Sequence, residues 1–351
     1  MICKGDFAMK RKVNAKIILV FSALFVCVTF VVIWLYYPRT GFEMKPDSDK
    51  GTYISNESGY FSDDFNKNDY LQYSNGQLIA KDFGHTKATI FSGNGAKSIS
   101  VPKSLYQADN KMIYIKSNRL YVKNTETNVE TFIDDNCSLF CVSGDKIAYQ
   151  KDSSVFLANI NTPEKKSKIA DIEYKIEHLC IEENVLYLIE RNIGDCYFYS
   201  YSIDDSTQLS SFEYSMSSPI NSTCLDDGCY YYYYEDTQTV IRTDMATGAF
   251  EGVVTHPDII DMCVNGDKLY FISEQTEGEI VTTTVECEDN GIWEVDIPTG
   301  ESRKLSDKCV FNDLLATDNY VYCYKIDYLL PRGMANSWVK GYEIEQISTQ
   351  K

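Results

Sequence analysis

The chain has 351 residues, which is enough for one large domain or two ordinary ones, and its 44% hydrophobic content is normal for a folded protein. It carries 51 acidic and 33 basic residues, for a formal net charge of −18. Such an acidic chain should repel phosphate backbones, so we expect no nucleic-acid partner.

Residues 17–37 form an uncharged, strongly apolar run of 21 residues. As a helix it would be roughly 31 Å long, which matches the core of a bilayer. Residues 1–16 have a net charge of +4, whereas Trp34, Tyr36 and Tyr37 supply an aromatic belt at the opposite end. The pattern predicts a signal anchor in the plasma membrane, with residues 1–16 as a cytoplasmic basic tail. This is a single-pass type II topology.

Three other interpretations of this run fit the residues less well. A cleaved signal peptide usually has a shorter apolar stretch and a small-residue cleavage site. A lipid anchor on Cys27 would need small residues before it, but Phe25 and Val26 stand there. A buried core helix of this length would normally include polar positions. An uncleaved membrane anchor therefore fits best.

Residues 38–51 are a polar linker containing Pro and Gly, and residues 52–351 are predicted to form the extracytoplasmic domain. In this domain, runs of Tyr, Val, Ile, Phe and Thr alternate with Asn, Asp and Gly, as is typical of β-strands and their turns. We find no convincing amphipathic helix in it.

One hairpin phrase recurs along this domain. VNGDKLYFIS (264–273) closely matches VSGDKIAYQK (142–151), and five weaker copies occur elsewhere. The turn residues of the seven copies are Asn75, Asn110, Asp145, Asn184, Asp227, Asp267 and Asn319. A period near 40 residues with four strands in each copy predicts an all-β, seven-bladed β-propeller, with six or eight blades as alternatives.

A second turn repeats as Asp-x-x-Thr-Gly at 244–248 and 296–300 and as Asn-Thr-Glu-Thr-Asn at 124–128. The leading side chain can bond to its own backbone, and the closing Gly or Asn tolerates a positive φ, so each copy predicts a hairpin. The seventh copy is too short for a fourth strand. We expect residues 52–62 to supply that strand and close the ring.

These hairpins and turns resemble a bacterial β-propeller family of unknown function, grouped by its similarity to the low-density-lipoprotein-receptor-related protein propeller. The resemblance covers roughly residues 70–345. It implies a surface or secreted protein of a Gram-positive bacterium.

Titratable residues offer no obvious catalytic constellation, so we assign no catalytic residue, no metal site and no cofactor. Paired acids such as Asp226-Asp227 fall at predicted turns and are interpreted as turn formers. The run Tyr230–Tyr234 should alternate between the two faces of a strand and is interpreted as core, with a sugar-stacking platform as the alternative.

Ten of the twelve cysteines lie in the predicted extracytoplasmic domain, residues 52–351. Four of them occupy equivalent positions on the innermost strands of successive blades: Cys141, Cys180, Cys224 and Cys263. Packed sheets lie about 10 Å apart, whereas a disulfide needs Cα atoms within roughly 7 Å. We predict that these four are buried free thiols. A Cys287–Cys309 bridge and a local bridge from Cys137 remain open.

Extra length falls between the second and third strands of the last two copies, at 274–290 and 327–337. Loops on a rigid scaffold often carry function. The candidate ligand-binding residues in and beside these loops are Glu274, Glu277, Tyr328, Arg332, Asn336 and Trp338.

We therefore expect a binding module for a protein or a cell-envelope glycan rather than an enzyme. One alternative is a glycan-active hydrolase or lyase with its site at the mouth of the central channel. Another is a structural or assembly partner of other membrane proteins.

Overall fold

The structure is a computed structural model, and it describes most of the chain from Leu71 onward. The described residues are 71–74, 77–81, 87–92, 95–100, 104–108, 110–215, 220–277, 283–284, 287–309, 311–328 and 339–350. They form seven antiparallel sheets in chain order, together with one short 3₁₀ helix (Glu235–Thr237) and one small extra hairpin.

The first three sheets have four strands each. Sheet 1 contains β1 (Leu71–Ser74), β2 (Gln77–Lys81), β3 (Lys87–Ser92) and β4 (Gly95–Ser100). Sheet 2 contains β5 (Ser104–Ala108), β6 (Lys111–Lys116), β7 (Arg119–Asn124) and β8 (Glu130–Asp135). Sheet 3 contains β9 (Cys137–Ser143), β10 (Lys146–Lys151), β11 (Ser154–Asn159) and β12 (Thr162–Asp171).

The next two sheets repeat this pattern. Sheet 4 contains β13 (Lys175–Glu182), β14 (Val185–Asn192), β15 (Asp195–Ser202) and β16 (Gln208–Ser215). Sheet 5 contains β17 (Ile220–Asp226), β18 (Cys229–Tyr234), β19 (Thr239–Asp244) and β20 (Phe250–Thr255).

The last two sheets depart from it. Sheet 6 contains β21 (Ile259–Asn265), β22 (Lys268–Ser273), β25 (Gly291–Asp296) and β26 (Ser302–Ser306). The extra hairpin, β23 (Thr276–Glu277) with β24 (Thr283–Thr284), is inserted between β22 and β25. Sheet 7 has three strands among the described residues: β27 (Asp313–Ala316), β28 (Tyr320–Tyr328) and β29 (Val339–Ser348).

Every one of the seven sheets is a meander in which each strand pairs with the next strand of the same sheet along the chain. The first-to-second and third-to-fourth turns therefore lie at one end of the sheets, which we call the turn face. The second-to-third connections and the links between sheets lie at the other end, which we call the loop-rich face. The inserted hairpin β23–β24 belongs to the loop-rich face.

The buried apolar side chains form seven clusters, each between two neighbouring sheets. One of them joins sheet 7 to sheet 1, where Tyr73 and Tyr322 stack with ring centroids 6.2 Å apart. At this seam Leu71 N donates to Asp313 Oδ2 at 2.7 Å, and Tyr324 Oη donates to the Lys81 carbonyl at 2.6 Å. The seven sheets thus form a ring, and the prediction of an all-β propeller arrangement is confirmed.

The predicted turn chemistry is also confirmed. Six of the seven aligned turn residues lie between the first and second strands of their sheets, and the seventh, Asn75, lies outside the described residues. In the second turn type, Asp244 Oδ1 accepts from the amides of Ala246 and Thr247 at 2.9 and 2.8 Å. The closing residues Gly248 and Asn128 have φ of 72° and 57°. These are left-handed values that Gly and Asn adopt most readily.

The tyrosine run is core, as predicted. In β18, Tyr230 and Tyr232 pack in the cluster between sheets 4 and 5, whereas Tyr231 and Tyr233 pack between sheets 5 and 6. Alternation along the strand therefore lets this one element fill two interfaces of the ring.

The ten described cysteines are all free. Cys141 and Cys180 are buried, and Cys224 and Cys263 are half-buried. All four are free and lie on first strands, as predicted, but the prediction that all four are buried is wrong for Cys224 and Cys263. The two bridges left open by the sequence, Cys287–Cys309 and a partner for Cys137, are not formed.

Two predictions fall on residues outside the described ranges, namely the anchor at 17–37 and the closing strand at 52–62. Among the residues that are described, no helix is both long and apolar enough to cross a membrane.

Candidate functional site

The structure locates half of the predicted ligand-binding residues. Glu274 follows β22 on the loop-rich face and is buried, with 4% of its surface exposed. Glu277 ends β23 and Tyr328 ends β28, but their side chains lie outside what is described. Three further candidates fall outside the described residues altogether: Arg332, Asn336 and Trp338.

The inserted hairpin is tied to the body of sheet 6 at its base. Gln275 N donates to the side-chain oxygen of the buried Asn290 at 2.8 Å. Glu274 N donates to the Asp258 carbonyl at 3.1 Å, in the link between sheets 5 and 6. Both ends of the insertion are therefore held by hydrogen bonds at its base on the loop-rich face.

An aromatic group lies beside this base, which we call the His256 cluster (His256, Phe271 and Trp293). The His256 ring centroid lies 4.8 Å from that of Phe271 and 4.9 Å from that of Trp293. Trp293 Nε1 donates to the Asp289 carbonyl at 2.9 Å, and Lys304 Nζ lies 5.5 Å from the Trp293 ring centroid. These contacts fix the half-buried indole in one orientation.

The hydrogen bonding of His256 leaves one ring nitrogen available. Nδ1 lies 3.0 Å from the Pro257 carbonyl oxygen, which can only accept, so Nδ1 carries the proton. Nε2 is buried and has no hydrogen-bond partner among the described residues. Burial lowers the pKa of His256, which keeps the ring neutral with a lone pair on Nε2. This nitrogen can accept a hydrogen bond from an N–H or O–H group.

Gly291 allows the chain to enter β25 beside this cluster. Its φ is 149°, and a Cβ at this position would lie 2.3 Å from the Ser306 carbonyl oxygen. Only glycine fits this close approach without a shift of the backbone. The residue therefore sets where the loop rejoins the sheet.

The turn face carries a concavity, which we call the turn-face cleft. It has a volume of about 530 Å³ and lies between sheets 5 and 6. Its walls include four acidic residues and one arginine, namely Asp226, Asp227, Glu251, Asp267 and Arg242. Arg242 Nη1 lies 3.2 Å from Glu251 Oε1, so the only basic lining residue is already paired with one of the acids.

Asp226 and Glu182, which end the first strands of sheets 5 and 4 at the turn face, both have raised pKa values. Burial and the nearby charges of Glu182 and Asp227 raise the pKa of Asp226 to about 7. Burial also raises the pKa of Glu182, although its Oε2 accepts from Gly228 N at 2.6 Å. This part of the turn face therefore titrates near neutral pH.

A third polar group lies between sheets 4 and 5 at the loop-rich ends of their first strands. Glu177 Oε1 lies 3.6 Å from Arg191 Nη1 and 3.5 Å from Tyr230 Oη, and its buried Oε2 has no partner among the described residues. The neighbouring His178 Nε2 is 2.7 Å from Thr223 Oγ1 on the next sheet. A carboxylate, an arginine and a histidine thus converge here.

Sequence reasoning did not find these three groups. Asp226 was interpreted only as a turn former, and it does precede a turn, but the strand end also places its carboxyl group beside Glu182. His256 and Trp293 are 37 positions apart in the sequence, and no spacing rule joins them. One feature of the sequence could have indicated the His256 cluster. His256 lies in the link between sheets 5 and 6, and the longest insertion, at 274–290, follows in sheet 6.

Comparisons with known proteins agree with the fold. A solved structure titled oligogalacturonate lyase in complex with manganese aligns with a TM-score of 0.53 and 8% identity, over 83% of this chain and 89% of that chain. The structure of KlHsv2 with loop 6CD replaced by a Gly-Ser linker aligns with a TM-score of 0.50 and 13% identity, over 79% and 96%. Both are β-propellers. The fold is that of a β-propeller.

BamB from Moraxella catarrhalis, also a β-propeller, aligns with a TM-score of 0.45 and 11% identity, over 82% of this chain and 99% of that chain. No protein-family model and no curated protein matches the chain. At these identities the likeness establishes the fold alone.

Proposed function

We propose that the chain is a non-enzymatic binding module: a seven-bladed propeller held outside the plasma membrane by residues 17–37, with its ligand site on the loop-rich face. The supporting observation is that the inserted hairpin of sheet 6 rises from a fixed base beside the His256 cluster. A rigid scaffold that carries one long insertion next to a partly exposed indole is suited to recognition.

The ligand class follows from the chemistry of this surface. The half-buried Trp293 offers an apolar ring, and the inserted loop beside it carries hydrogen-bond acceptors such as the carboxylate of Glu277. A sugar ring combines an apolar face with hydroxyl donors, and a protein loop can present a similar pair of groups. The partner in this proposal is therefore a cell-envelope glycan or a protein.

The test uses the full-length chain in detergent, with isolated cell-wall polymers and a detergent-extracted envelope proteome as ligands. A variant with Tyr328, Arg332 and Trp338 changed to Ala removes predicted contacts on the loop-rich face. A matched variant, Glu126→Ala with Glu301→Ala, removes exposed side chains from the turn face. We expect the first variant to lose retention of the ligand and the second to retain it. Equal retention by all three proteins contradicts the proposal.

A second candidate function is a glycan-active hydrolase or lyase, and the Glu177 group favours it. A carboxylate oxygen with no partner in the described part of the chain, beside Arg191 and a histidine, belongs to a group with the residue types of acid–base chemistry. Product analysis of a retained glycan separates the two functions, since cleavage that is lost in Glu177→Gln would establish the enzyme. Capture of one membrane protein, with no glycan retained, would instead indicate an assembly partner.

A further inference from the structure

We propose that the turn-face cleft is a further ligand site, which binds an alkylammonium group, meaning a positively charged amine on an apolar stem. The cleft lies between sheets 5 and 6, at the opposite end of these sheets from the inserted hairpin. It does not rest on the function proposed for the loop-rich face. Its volume of about 530 Å³ falls in the range of about 300–1,000 Å³ that is usual for small-molecule pockets.

Three carboxyl groups of the cleft have no positively charged partner among the described residues. Asp226 ends β17, Asp227 follows it, and Asp267 lies in the corresponding turn of sheet 6. Asp226 accepts a hydrogen bond from the backbone amide of Gly266. The side chains of Asp227 and Asp267 make no hydrogen bond or ion pair with any residue that the structure describes. The cleft therefore presents acceptors that a ligand can use.

The two basic side chains beside these carboxyl groups are already paired. Arg242 Nη1 lies 3.2 Å from Glu251 Oε1. Lys268, which follows Asp267 in the sequence, has its Nζ 2.6 Å from Asp296 Oδ2. Neither cation is left to neutralise the three aspartates, so the cleft keeps a surplus of negative charge.

The acidity of Asp226 agrees with this surplus. Burial is the main cause that raises its pKa to about 7, and the charges of Glu182 and Asp227 add to it. An opposite charge within a few ångströms would favour the carboxylate instead. A bound ammonium group would supply that missing charge.

Tyr231 provides a second and independent observation, since its buried hydroxyl group has no partner. The residue lines the cleft with only 3% of its surface exposed, and its Oη makes no hydrogen bond within the described part of the chain. Burial raises the pKa of this phenol, so it stays protonated at neutral pH. Its oxygen can accept a hydrogen bond from an ammonium N–H, which would offset the cost of leaving it unpaired.

The rest of the lining favours an organic cation over a metal ion. Val253, Ile297 and Pro298 place apolar surface beside the carboxyl groups, where the stem of an amine can lie. Among the residues described by the structure, no group of three or more His, Cys, Asp or Glu side chains is placed to hold a metal ion. An ammonium group has three N–H donors and can bond to acceptors that are spread along a cleft.

The test measures dissociation constants by isothermal titration calorimetry, with the full-length chain in detergent. One probe, 1,5-diaminopentane, represents a free amine, and another, Nα-acetyl-lysine methylamide, represents a lysine side chain. The neutral 1,5-pentanediol has the same length and no charge. We expect an amine to bind and the diol not to bind. Binding of the lysine derivative alone would identify a protein side chain as the ligand, and binding of diaminopentane alone would identify a free amine.

Variants then locate the bound amine. Tyr231→Phe keeps the ring and removes the hydroxyl group, so the affinity should fall about fivefold. Asp227→Asn with Asp267→Asn removes two charges from the cleft and should weaken binding by about tenfold or more. The matched control, Glu126→Gln with Glu183→Gln, removes the same charge from exposed turn-face positions outside the cleft and should leave the affinity unchanged.

Two results would overturn the site. One is the failure of both amines to bind the wild-type protein. The other is equal binding by the wild type and all variants, because the net charge of −18 would then attract cations without a specific site. Thermal unfolding checks that each variant is folded. If Tyr231→Phe does not fold, the asparagine variant decides, since Asp227 and Asp267 are exposed turn residues. Neither result affects the proposal for the loop-rich face, which is tested with different variants.

Discussion

Glu182 Oε2 accepts a hydrogen bond from the backbone amide of Gly228 at 2.6 Å and so ties the end of β13 in sheet 4 to the first turn of sheet 5. Asp226 makes the equivalent contact to Gly266 in sheet 6. Asn265 continues the series to Asp318 in sheet 7, at 3.3 Å. Four successive sheets, 4 to 7, are thus joined by three ties, each made by the last side chain of a first strand.

The contact between Asp226 and Gly266 should make the stability of the protein depend on pH. The pKa of Asp226 is raised to about 7, above the value near 3.9 expected in the unfolded chain, so the folded state binds more protons between these two values. The free energy of unfolding should fall as the pH rises from about 4 to 7. Asp226→Asn keeps the acceptor oxygen and should remove this term, stabilising the protein at pH 8 by about 1–2 kcal/mol.

Denaturant unfolding at pH 5 and pH 8 measures this difference. Asp267→Asn is the matched control, because Asp267 is exposed in the corresponding turn of sheet 6. It should leave the pH dependence unchanged. If the wild-type protein is equally stable at both pH values, ionisation of Asp226 does not lower the free energy of unfolding, and the prediction is wrong.

Asp134 should behave in the opposite way. Burial would raise its pKa, but hydrogen bonds from Lys151 at 2.5 Å and from Lys166 and Tyr149 at 2.9 Å lower it to about 2. The charged form therefore stabilises the fold at pH values above about 4, and this contribution is lost as the pH falls toward 2. Asp134→Asn should cost roughly 2 kcal/mol at pH 7.

The adjacent Asp135→Asn serves as the comparison, since 58% of that side chain is exposed and it contacts Lys151 alone of the two lysines. Its cost should be under about 1 kcal/mol. Urea unfolding at pH 7 gives both values. Similar costs for the two variants would contradict the central place given to Asp134 in this network.

Gly291→Ala should destabilise sheet 6, because the added Cβ would meet the Ser306 carbonyl at 2.3 Å. The pairing of β25 with β26 must shift to admit it, at a cost of roughly 2–4 kcal/mol. Gly266→Ala is the control: its φ is 58°, but its Cβ meets nothing within 4 Å, so about 1 kcal/mol of backbone strain is expected. Thermal unfolding measures both effects, and the midpoint should fall further for Gly291→Ala than for Gly266→Ala. Equal thermal midpoints for the two variants would argue against a steric clash at residue 291.

The thiol of Cys141 should be inert in the native protein. It is fully buried, and burial raises its pKa, so little thiolate forms at pH 8. Maleimide labelling followed by peptide mapping should show no modification at Cys141 until urea unfolds the protein. Cys287, which is half-buried, is the internal reference and should react first. Rapid labelling of Cys141 in buffer would mean that sheet 3 opens locally.

The sheets and their turns were predictable from the sequence because each depends on contacts over short distances along the chain. The aligned turn residues, the Asp244 turn and the alternation of Tyr230 and Tyr231 all follow from local backbone chemistry. A repeat near 40 residues then fixes the number of sheets. None of these inferences required knowledge of contacts between sheets.

The polar groups of the candidate sites were not predictable in the same way. Glu177 contacts Tyr230 across 53 positions, and Glu182 contacts Gly228 across 46. The length of the intervening insertions decides which side chains meet, and a hairpin motif does not encode it. The pKa of Asp226 is raised mainly because the side chain is buried in the folded ring. Its neighbours along the chain do not predict this burial.

The seam between sheets 1 and 7 differs from every other contact in how far apart its residues lie along the chain. Tyr324 and Lys81 are 243 positions apart, whereas strands within a sheet are joined by short turns. Six interfaces can therefore form in order as the chain emerges, and most of the entropy cost of closing a long loop falls on the seventh. The ring should complete itself last and should open first at this same boundary under mechanical load.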